Sequence, residues 1–224
     1  MRVFHISKAP WLALSVLGVL SLAACGGGGG DENENGDLPE PITVESTPNF
    51  DGGTAVNNST DSASSAAIPL VGDGGGAIGG ATIIYNGIWS FELPTLPPLA
   101  EVTQVTLYLY QTGVAGDPQA SFSLARMDHV NIGNSFPATS ATIANLSLNF
   151  SQIVDLNTAG SKQVDVTDEV IADYDAARPR SSFRMRMAIP TDNDSLADWC
   201  VMTDAETAAD ASQRPRIVIE YTVP

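Results

Sequence analysis

Basic residues are scarce in this sequence. Its 224 residues include 10 Lys and Arg against 26 Asp and Glu, which gives a formal net charge of −16. A negative field of this strength opposes the binding of nucleic acid and of anionic lipid headgroups, and it disfavours strongly anionic glycans. We therefore expect no nucleic-acid partner. An acidic surface suits solubility in a salty medium or the binding of cations.

Catalytic signatures are also scarce. The only histidines are His5 and His129, and no Gly-x-Ser-x-Gly elbow or His-Glu-x-x-His motif accompanies them. The neighbouring pair Asp128–His129 would suit a triad or a metal site, but an isolated histidine in a loop or at a strand end explains it more simply. Carboxylates are so numerous that no single pair indicates glycoside hydrolysis. The sequence predicts a protein that is not an enzyme.

The apolar run at the N-terminus is too short to span a bilayer. Trp11–Leu22 has 12 residues, against the ~20 that a spanning helix needs, and it follows the basic Arg2 and Lys8, as in a signal peptide. The sequence Leu-Ala-Ala-Cys that ends at Cys25 resembles the lipobox of bacterial lipoproteins. That resemblance implies a signal peptide over residues 1–24, a diacylglycerol thioether on Cys25 and acylation, for instance with palmitate, of its new amino group. A secreted protein with a chance cysteine is the alternative.

Residues 25–65 predict a lipidated cysteine followed by a disordered tether. An unbroken glycine run, Gly26–Gly30, leads into the acidic stretch Asp31–Asp37, and few large apolar residues follow before Ser65. Such a chain cannot bury enough apolar surface to offset the entropy that it would lose on ordering. About 40 flexible residues would have a typical end-to-end distance of ~35 Å. Because Gly26 rather than Asp follows the cysteine, analogy with the sorting of enterobacterial lipoproteins favours the outer membrane over retention in the inner membrane. We expect the domain to face the periplasm or the cell surface.

The remaining residues 66–224 predict one domain and no disulfide. They number 159, enough for one hydrophobic core. Lipidation of Cys25 leaves only Cys200, which we expect to be buried as a small apolar residue. Loss of Arg2 and Lys8 with the leader would take the formal charge from −16 to −18. We expect a monomer.

The pattern of the domain is that of short strands. Apolar residues alternate with polar ones in several segments that are separated by turn-forming residues, which indicates half-buried strands. The segments are Val105–Tyr110, Ser121–Leu124, Asn145–Phe150, Ser182–Met187 and Ile217–Val223. Thr167, as a cap, with Asp168 and Glu169 in the first turn, predicts one short helix that ends before Pro179. The fold class we predict is all-β, a jelly-roll-like antiparallel β-sandwich with one short helix.

The order of motifs in this domain resembles that of the DNRLRE-type domain of exported bacterial and archaeal proteins. The segments that carry the resemblance are Phe91–Pro97, Val102–Tyr110, Val164–Thr167, Thr203–Glu206 and Arg214–Tyr221. It covers Ala66–Val223, with Glu92 in place of the aspartate and Tyr174 in place of the tryptophan of the family pattern. The resemblance implies a jelly-roll sandwich that is often attached to polysaccharide-active enzymes, and some members are regarded as carbohydrate-binding modules.

Two pairs of residues are candidate ligand contacts. Tyr108 and Tyr110 share one face of their strand about 7 Å apart, so they could stack on sugar rings; cover by a helix or a loop is the alternative. Arg184 and Arg186 could meet carboxylates of a ligand or of this acidic protein itself. Trp199 lies in a segment that is apolar on both faces, which predicts a core position.

One acidic loop is a candidate calcium site. Asp192 and Asp194, with Asp198 close behind, concentrate oxygen ligands of the kind that calcium takes in irregular loops. A plain solvated turn is the alternative. Together these features predict an envelope-anchored, non-catalytic lipoprotein that binds carbohydrate. The alternative is a structural or adhesion lipoprotein whose partner at the cell surface is a protein.

Overall fold

The computed structural model describes residues 39–57, 59–75 and 82–224. The predicted signal peptide, Cys25 and the first part of the predicted tether lie outside this range. The described residues belong to one compact unit that contains 12 strands and two α-helices, besides two short 3₁₀ turns. None of these helices has the length and apolar character that crossing a membrane requires. The prediction of an all-β fold is confirmed.

The elements follow one another in this order. The strands are β1 (Ile42–Glu45), β2 (Gly52–Val56), β3 (Asp61–Ser64), β4 (Leu70–Asp73), β5 (Ile84–Glu92), β6 (Glu101–Ala115), β7 (Ala125–Asn131), β8 (Ala144–Ile153), β9 (Gly160–Asp165), β10 (Arg180–Met187), β11 (Asp198–Met202) and β12 (Arg216–Thr222). The helices are α1 (Pro118–Phe122), between β6 and β7, and α2 (Thr167–Asp175), between β9 and β10.

Two layers of antiparallel strands form the sandwich. In the first layer, β6 pairs with β9 along one edge and with β12 and β11 along the other, and β1 pairs with β12. In the second layer, β5 pairs with β2 along one edge and with β10 along the other; β7 and β8 follow β10, and β3 follows β2. Strand β4 pairs with both β11 and β5 and therefore joins the layers.

Alternate residues from both layers fill one core. The apolar side chains that the period-two pattern assigns to the inner faces of β6, β10 and β12 are buried. They are Val105, Leu107, Leu109, Phe183, Met185, Met187, Ile217 and Ile219. Trp89 of β5 is also buried, and its indole Nε1 donates a hydrogen bond to the carbonyl of Thr203 at 3.0 Å. Since an indole N–H needs a partner when it leaves water, this bond fixes Trp89 in the core.

The folded domain begins well before Ala66, which corrects the predicted boundary between tether and domain. Residues 42–64 contain β1, β2 and β3. Strand β1 pairs with β12, and Ile42 and Val44 pack against the core. Short strands of this kind satisfy their backbone groups by pairing with an existing sheet, so a few apolar side chains are enough to hold them. Residues 25–38 of the predicted tether lie outside the described range.

The prediction of a strand at Ser121–Leu124 is wrong, because Ser121 and Phe122 end the helix α1, which was not predicted. The short helix that was predicted is present as α2. Pro118 begins α1, where the missing N–H of proline costs nothing, and the Asp117 side chain accepts a hydrogen bond from the backbone N–H of Ala120. Phe122 is buried in the core. In α2 the predicted acidic first turn is confirmed, although Thr167 is the first helical residue rather than the cap.

Candidate binding surfaces

Tyr108 and Tyr110 lie on the outer face of the first layer, as their alternation with buried leucines predicts. Both rings are partly exposed. The guanidinium carbon of Arg216, the cross-strand neighbour of Tyr108 on β12, lies 4.6 Å from the centre of the Tyr108 ring. A cation held over an aromatic face is a favourable contact. A sugar that stacked on this face of Tyr108 would therefore have to displace Arg216.

A second aromatic surface was not predicted. A cleft of about 120 Å³ opens beside Tyr85 of β5, between β2, β3 and the segment that precedes β4. Its lining is neutral and consists of Gly53, Thr54, Ala55, Ser62, Ser64, Ala67, Ile68, Leu70 and Tyr85. A concave, mainly apolar surface with a few hydroxyl groups is typical of small-ligand sites.

Trp199 borders the same region and is not in the core, which corrects its predicted position. Its ring meets the Tyr85 ring edge to face, with centres 5.9 Å apart. Trp199 is partly exposed, whereas its neighbour Cys200 is fully buried. The two side chains point to opposite faces of β11: Cys200 points to the core, and Trp199 points to the outer face. Tyr85 is thus held by an aromatic neighbour while it lines the cleft.

Arg184 and Arg186 are brought together on a buried carboxylate of this protein. Asp128 is fully buried, and its Oδ2 accepts hydrogen bonds from Arg184 Nη2 at 2.7 Å and Arg186 Nε at 2.8 Å. The backbone N–H of Asn149 donates to Asp128 Oδ1 at 2.9 Å. Burial alone would raise the pKa of Asp128, but the hydrogen bonds from Arg186, Asn149 and Arg184 outweigh it and lower the pKa. The carboxylate that the two arginines meet is therefore an acid of this chain, which was one of the two alternatives.

The three predicted calcium ligands lie close together. Side-chain oxygens of Asp192, Asp194 and Asp198 are all within 4.8 Å of one another. Asp192 and Asp194 are exposed in the loop between β10 and β11, and the buried Asp198 begins β11. Asp192 and Asp194 each accept one backbone N–H, at 3.1 and 2.7 Å. Ser121 donates to Asp198 at 3.1 Å, and the N–H of Asp117 also donates to it.

Asp128 and His129 do not form the pair that their order in the sequence suggests. Consecutive strand residues point to opposite faces, and His129 Nε2 instead lies 2.8 Å from Asp173 Oδ2 of α2. Arg178 donates to the other oxygen of Asp173 at 2.8 Å, and the His129 ring stacks on Phe183 at 5.7 Å. His129 is almost fully buried. Within residues 39–57, 59–75 and 82–224 it makes no hydrogen bond to a hydroxyl or thiol group.

Cys200 is buried in the core, as predicted. Its thiol donates to the carbonyl of Leu156 at 3.3 Å. Burial raises the pKa of Cys200 to about 12, so the reactive thiolate is disfavoured. In the described part of the chain it is a free thiol rather than half of a disulfide. Its role in the fold is that of a small apolar side chain.

No protein-family model matches this chain, and no curated protein matches it either. The resemblance to DNRLRE-type domains therefore stays a prediction. What the chain does has to be inferred from the surfaces described above.

Proposed function

We propose that this chain is a lipid-anchored, non-catalytic envelope protein that binds neutral carbohydrate in the cleft beside Tyr85. The cleft itself is the observation that carries the proposal. It places an aromatic ring and several hydroxyl groups around a cleft of about 120 Å³. A volume of this size is smaller than the ~300–1,000 Å³ of a typical pocket for a drug-sized ligand.

The chemistry of the lining favours a sugar without charge. A pyranose ring offers apolar C–H groups to an aromatic face and hydroxyl groups to polar neighbours. Tyr85 supplies the face, and Ser62, Ser64 and Thr54 supply hydroxyl oxygens. None of the lining residues is charged, and the net charge of −16 repels anionic glycans. The ligand class we propose is therefore a neutral polysaccharide or oligosaccharide.

Retention of the purified chain on a glycan array or on insoluble neutral polysaccharides tests this proposal. We expect Tyr85→Ala to weaken retention at least tenfold, which corresponds to ~1.4 kcal/mol, and Tyr85→Phe to keep most of it because the ring is preserved. Tyr110→Ala is the matched control, since it removes a partly exposed tyrosine from the other predicted surface. If Tyr110→Ala abolishes retention and Tyr85→Ala does not, the site is the β6 face. If the folded chain binds no glycan, the proposal fails.

The lipid anchor is part of the same proposal, and it is carried by the lipobox-like sequence before Cys25. Two acyl chains or more hold a protein stably at a membrane, whereas one does so marginally. We expect radioactive palmitate to label the wild-type chain and Cys200→Ala equally, because Cys200 is buried. Labelling should be lost in Cys25→Ala. Labelling that survives this substitution would contradict the anchor.

A protein partner is the second candidate function, and one observation favours it. Strand β8 is the last strand of the sheet order, and Leu146 and Leu148 are 38% and 51% exposed. An exposed edge strand with apolar side chains is a surface that another chain can cover. Cross-linking in cells that recovers one dominant protein from the wild type, and not from Leu148→Lys, would favour this function over carbohydrate binding.

A further inference from the structure

The acidic loop is more extensive than the three predicted ligands. Asp73 at the end of β4 is the cross-strand partner of Asp198 at the start of β11. Gly72 makes this pairing possible: it has φ of +143°, and a Cβ there would lie 2.1 Å from the carbonyl oxygen of Asp198. The two strands therefore approach closely, and Asp73 lies beside Asp198, although the carboxylate oxygens within 4.8 Å of one another are those of Asp192, Asp194 and Asp198 alone.

Asp73 is a buried carboxylate beside the acidic loop. It is 1% exposed, and its Oδ1 makes no hydrogen bond. The hydroxyl of Thr191 and the backbone N–H groups of Asp198 and Gly75 lie close to its carboxylate, as does the charge of Asp192, so the side chain faces the start of the acidic loop. A buried carboxylate is normally paired or bound to a metal.

No basic side chain neutralises this group within the described part of the chain. The ion pairs found there engage Asp128, Asp155, Asp173, Glu45 and Glu92, and none engages Asp73, Asp192, Asp194 or Asp198. Side-chain oxygens of three of them nevertheless lie within 4.8 Å of one another. Like charges at this separation repel unless a cation lies between them.

We propose that Asp192, Asp194 and Asp198 bind a calcium ion and that the buried Asp73 adds negative charge to the site. The donors are all oxygens, which suits calcium, and neither histidine nor cysteine belongs to the cluster, as zinc would favour. Asp192 and Asp194 each keep one side-chain oxygen free of the loop's own backbone hydrogen bonds. An irregular loop of this kind fits calcium better than magnesium, which demands near-ideal octahedral geometry.

The proposed ion would fasten the β10–β11 loop to the junction between the two layers. Asp73 and Asp198 belong to β4 and β11, and β4 is the strand that joins the layers. Trp199 follows Asp198 directly on β11, so its indole lies near the site but on the other face of the strand. The proposal does not depend on carbohydrate binding, since the cleft and the acidic loop share no lining residue.

Terbium luminescence and thermal unfolding of the purified, EDTA-treated chain test the proposal. Terbium should bind in place of calcium and emit when Trp199 is excited, and calcium should compete it away. Calcium at a hundred times its dissociation constant should raise the unfolding midpoint by ~5–10 °C. Magnesium at the same concentration should have a much smaller effect. Trp199→Phe should lose the emission and keep the midpoint shift.

Three carboxylate variants separate a built site from general attraction to an acidic protein. Asp194→Asn should weaken calcium binding at least tenfold. Asp73→Asn should shrink the midpoint shift that calcium causes, because it removes negative charge beside the site. Glu220→Gln removes an exposed charge from β12 and should leave the response unchanged. Absence of both emission and shift in the folded chain, or equal losses in Glu220→Gln and Asp194→Asn, would overturn the proposal.

Discussion

Asp128→Ala should lower the free energy of unfolding by about 3 kcal/mol, the lower end of the range for breaking a buried ion pair. The wild-type carboxylate is fully buried and accepts hydrogen bonds from both Arg184 and Arg186. Its removal leaves two guanidinium groups on β10 without their shared counter-charge. Their side chains are 14% and 27% exposed, so water can replace part of what is lost. Urea denaturation at pH 7 measures the loss.

Glu45→Gln is the matched control for this variant. It breaks the bridge between Glu45 and Arg214, in which both side chains are 44% exposed. An exposed pair contributes at most ~1 kcal/mol because water and salt screen it. If Asp128→Ala lowers the free energy of unfolding no more than Glu45→Gln does, burial does not strengthen the Asp128 ion pairs and our account of them is wrong.

The pH dependence gives this prediction a second measurement. Because the pKa of Asp128 is lowered in the folded protein, its stabilising contribution is fully present above the unfolded pKa, ~3.9. The contribution is lost as the pH falls through the folded pKa. The difference between wild type and Asp128→Ala should therefore shrink in acid. A difference that grows below pH 4 would contradict the direction of the shift.

The strands that could be predicted from the sequence are those with a regular pattern of buried and exposed residues. In β6, Val105, Leu107 and Leu109 are buried while the residues between them are partly exposed. The terminal strand β12 follows the same rule with Ile217 and Ile219. When one face of a sheet covers a core and the other faces water, period-two alternation is the direct consequence. Such strands can be predicted without knowing which strands they pair with.

The elements that could not be predicted obtain their structure from partners elsewhere in the chain. Strand β2 is mainly glycine, threonine and alanine, and it is held between β3 and β5 by backbone hydrogen bonds. Helix α1 has only five residues and depends on Pro118, on the Asp117 side chain and on burial of Phe122. Local composition carries little of this information, because pairing and burial override weak propensities.

Whether a candidate site could be predicted depends in the same way on how far apart its residues lie in the sequence. The aspartates of the calcium candidate lie near one another in sequence, so their juxtaposition could be predicted. The cleft beside Tyr85 joins segments from β2, β3 and β5, and only the paired sheet brings them together. His129 shows the converse. Its sequence neighbour Asp128 turns to the arginines, and its actual partner, Asp173, comes from α2.

Asp51→Asn should raise the free energy of unfolding at pH 7. Asp51 is fully buried, Ser46 and the N–H of Ala205 donate to its Oδ2 at 2.6 and 2.8 Å, and Oδ1 makes no hydrogen bond. Burial, supported by the nearby charges of Glu206 and Asp204 and opposed by those two hydrogen bonds, raises the pKa of Asp51 to about 6. The ionised side chain therefore destabilises the folded state at neutral pH, and an amide of the same shape removes that charge.

The sign follows from proton linkage. Because the folded protein binds the Asp51 proton more tightly than the unfolded chain, whose carboxyl has a pKa of ~3.9, wild-type stability declines as the pH rises from about 4 to about 6. The stabilisation by Asp51→Asn should be absent below pH 4 and reach about 2–3 kcal/mol above pH 6. Asp61→Asn is the control with the opposite sign. The Asp61 carboxylate accepts hydrogen bonds from the backbone N–H groups of Ser140 and Ala141, so this substitution should lower the free energy of unfolding. Urea titrations at pH 4, 5, 6 and 7 measure both, and a stabilisation by Asp51→Asn that is independent of pH would show that its charge is not the cause.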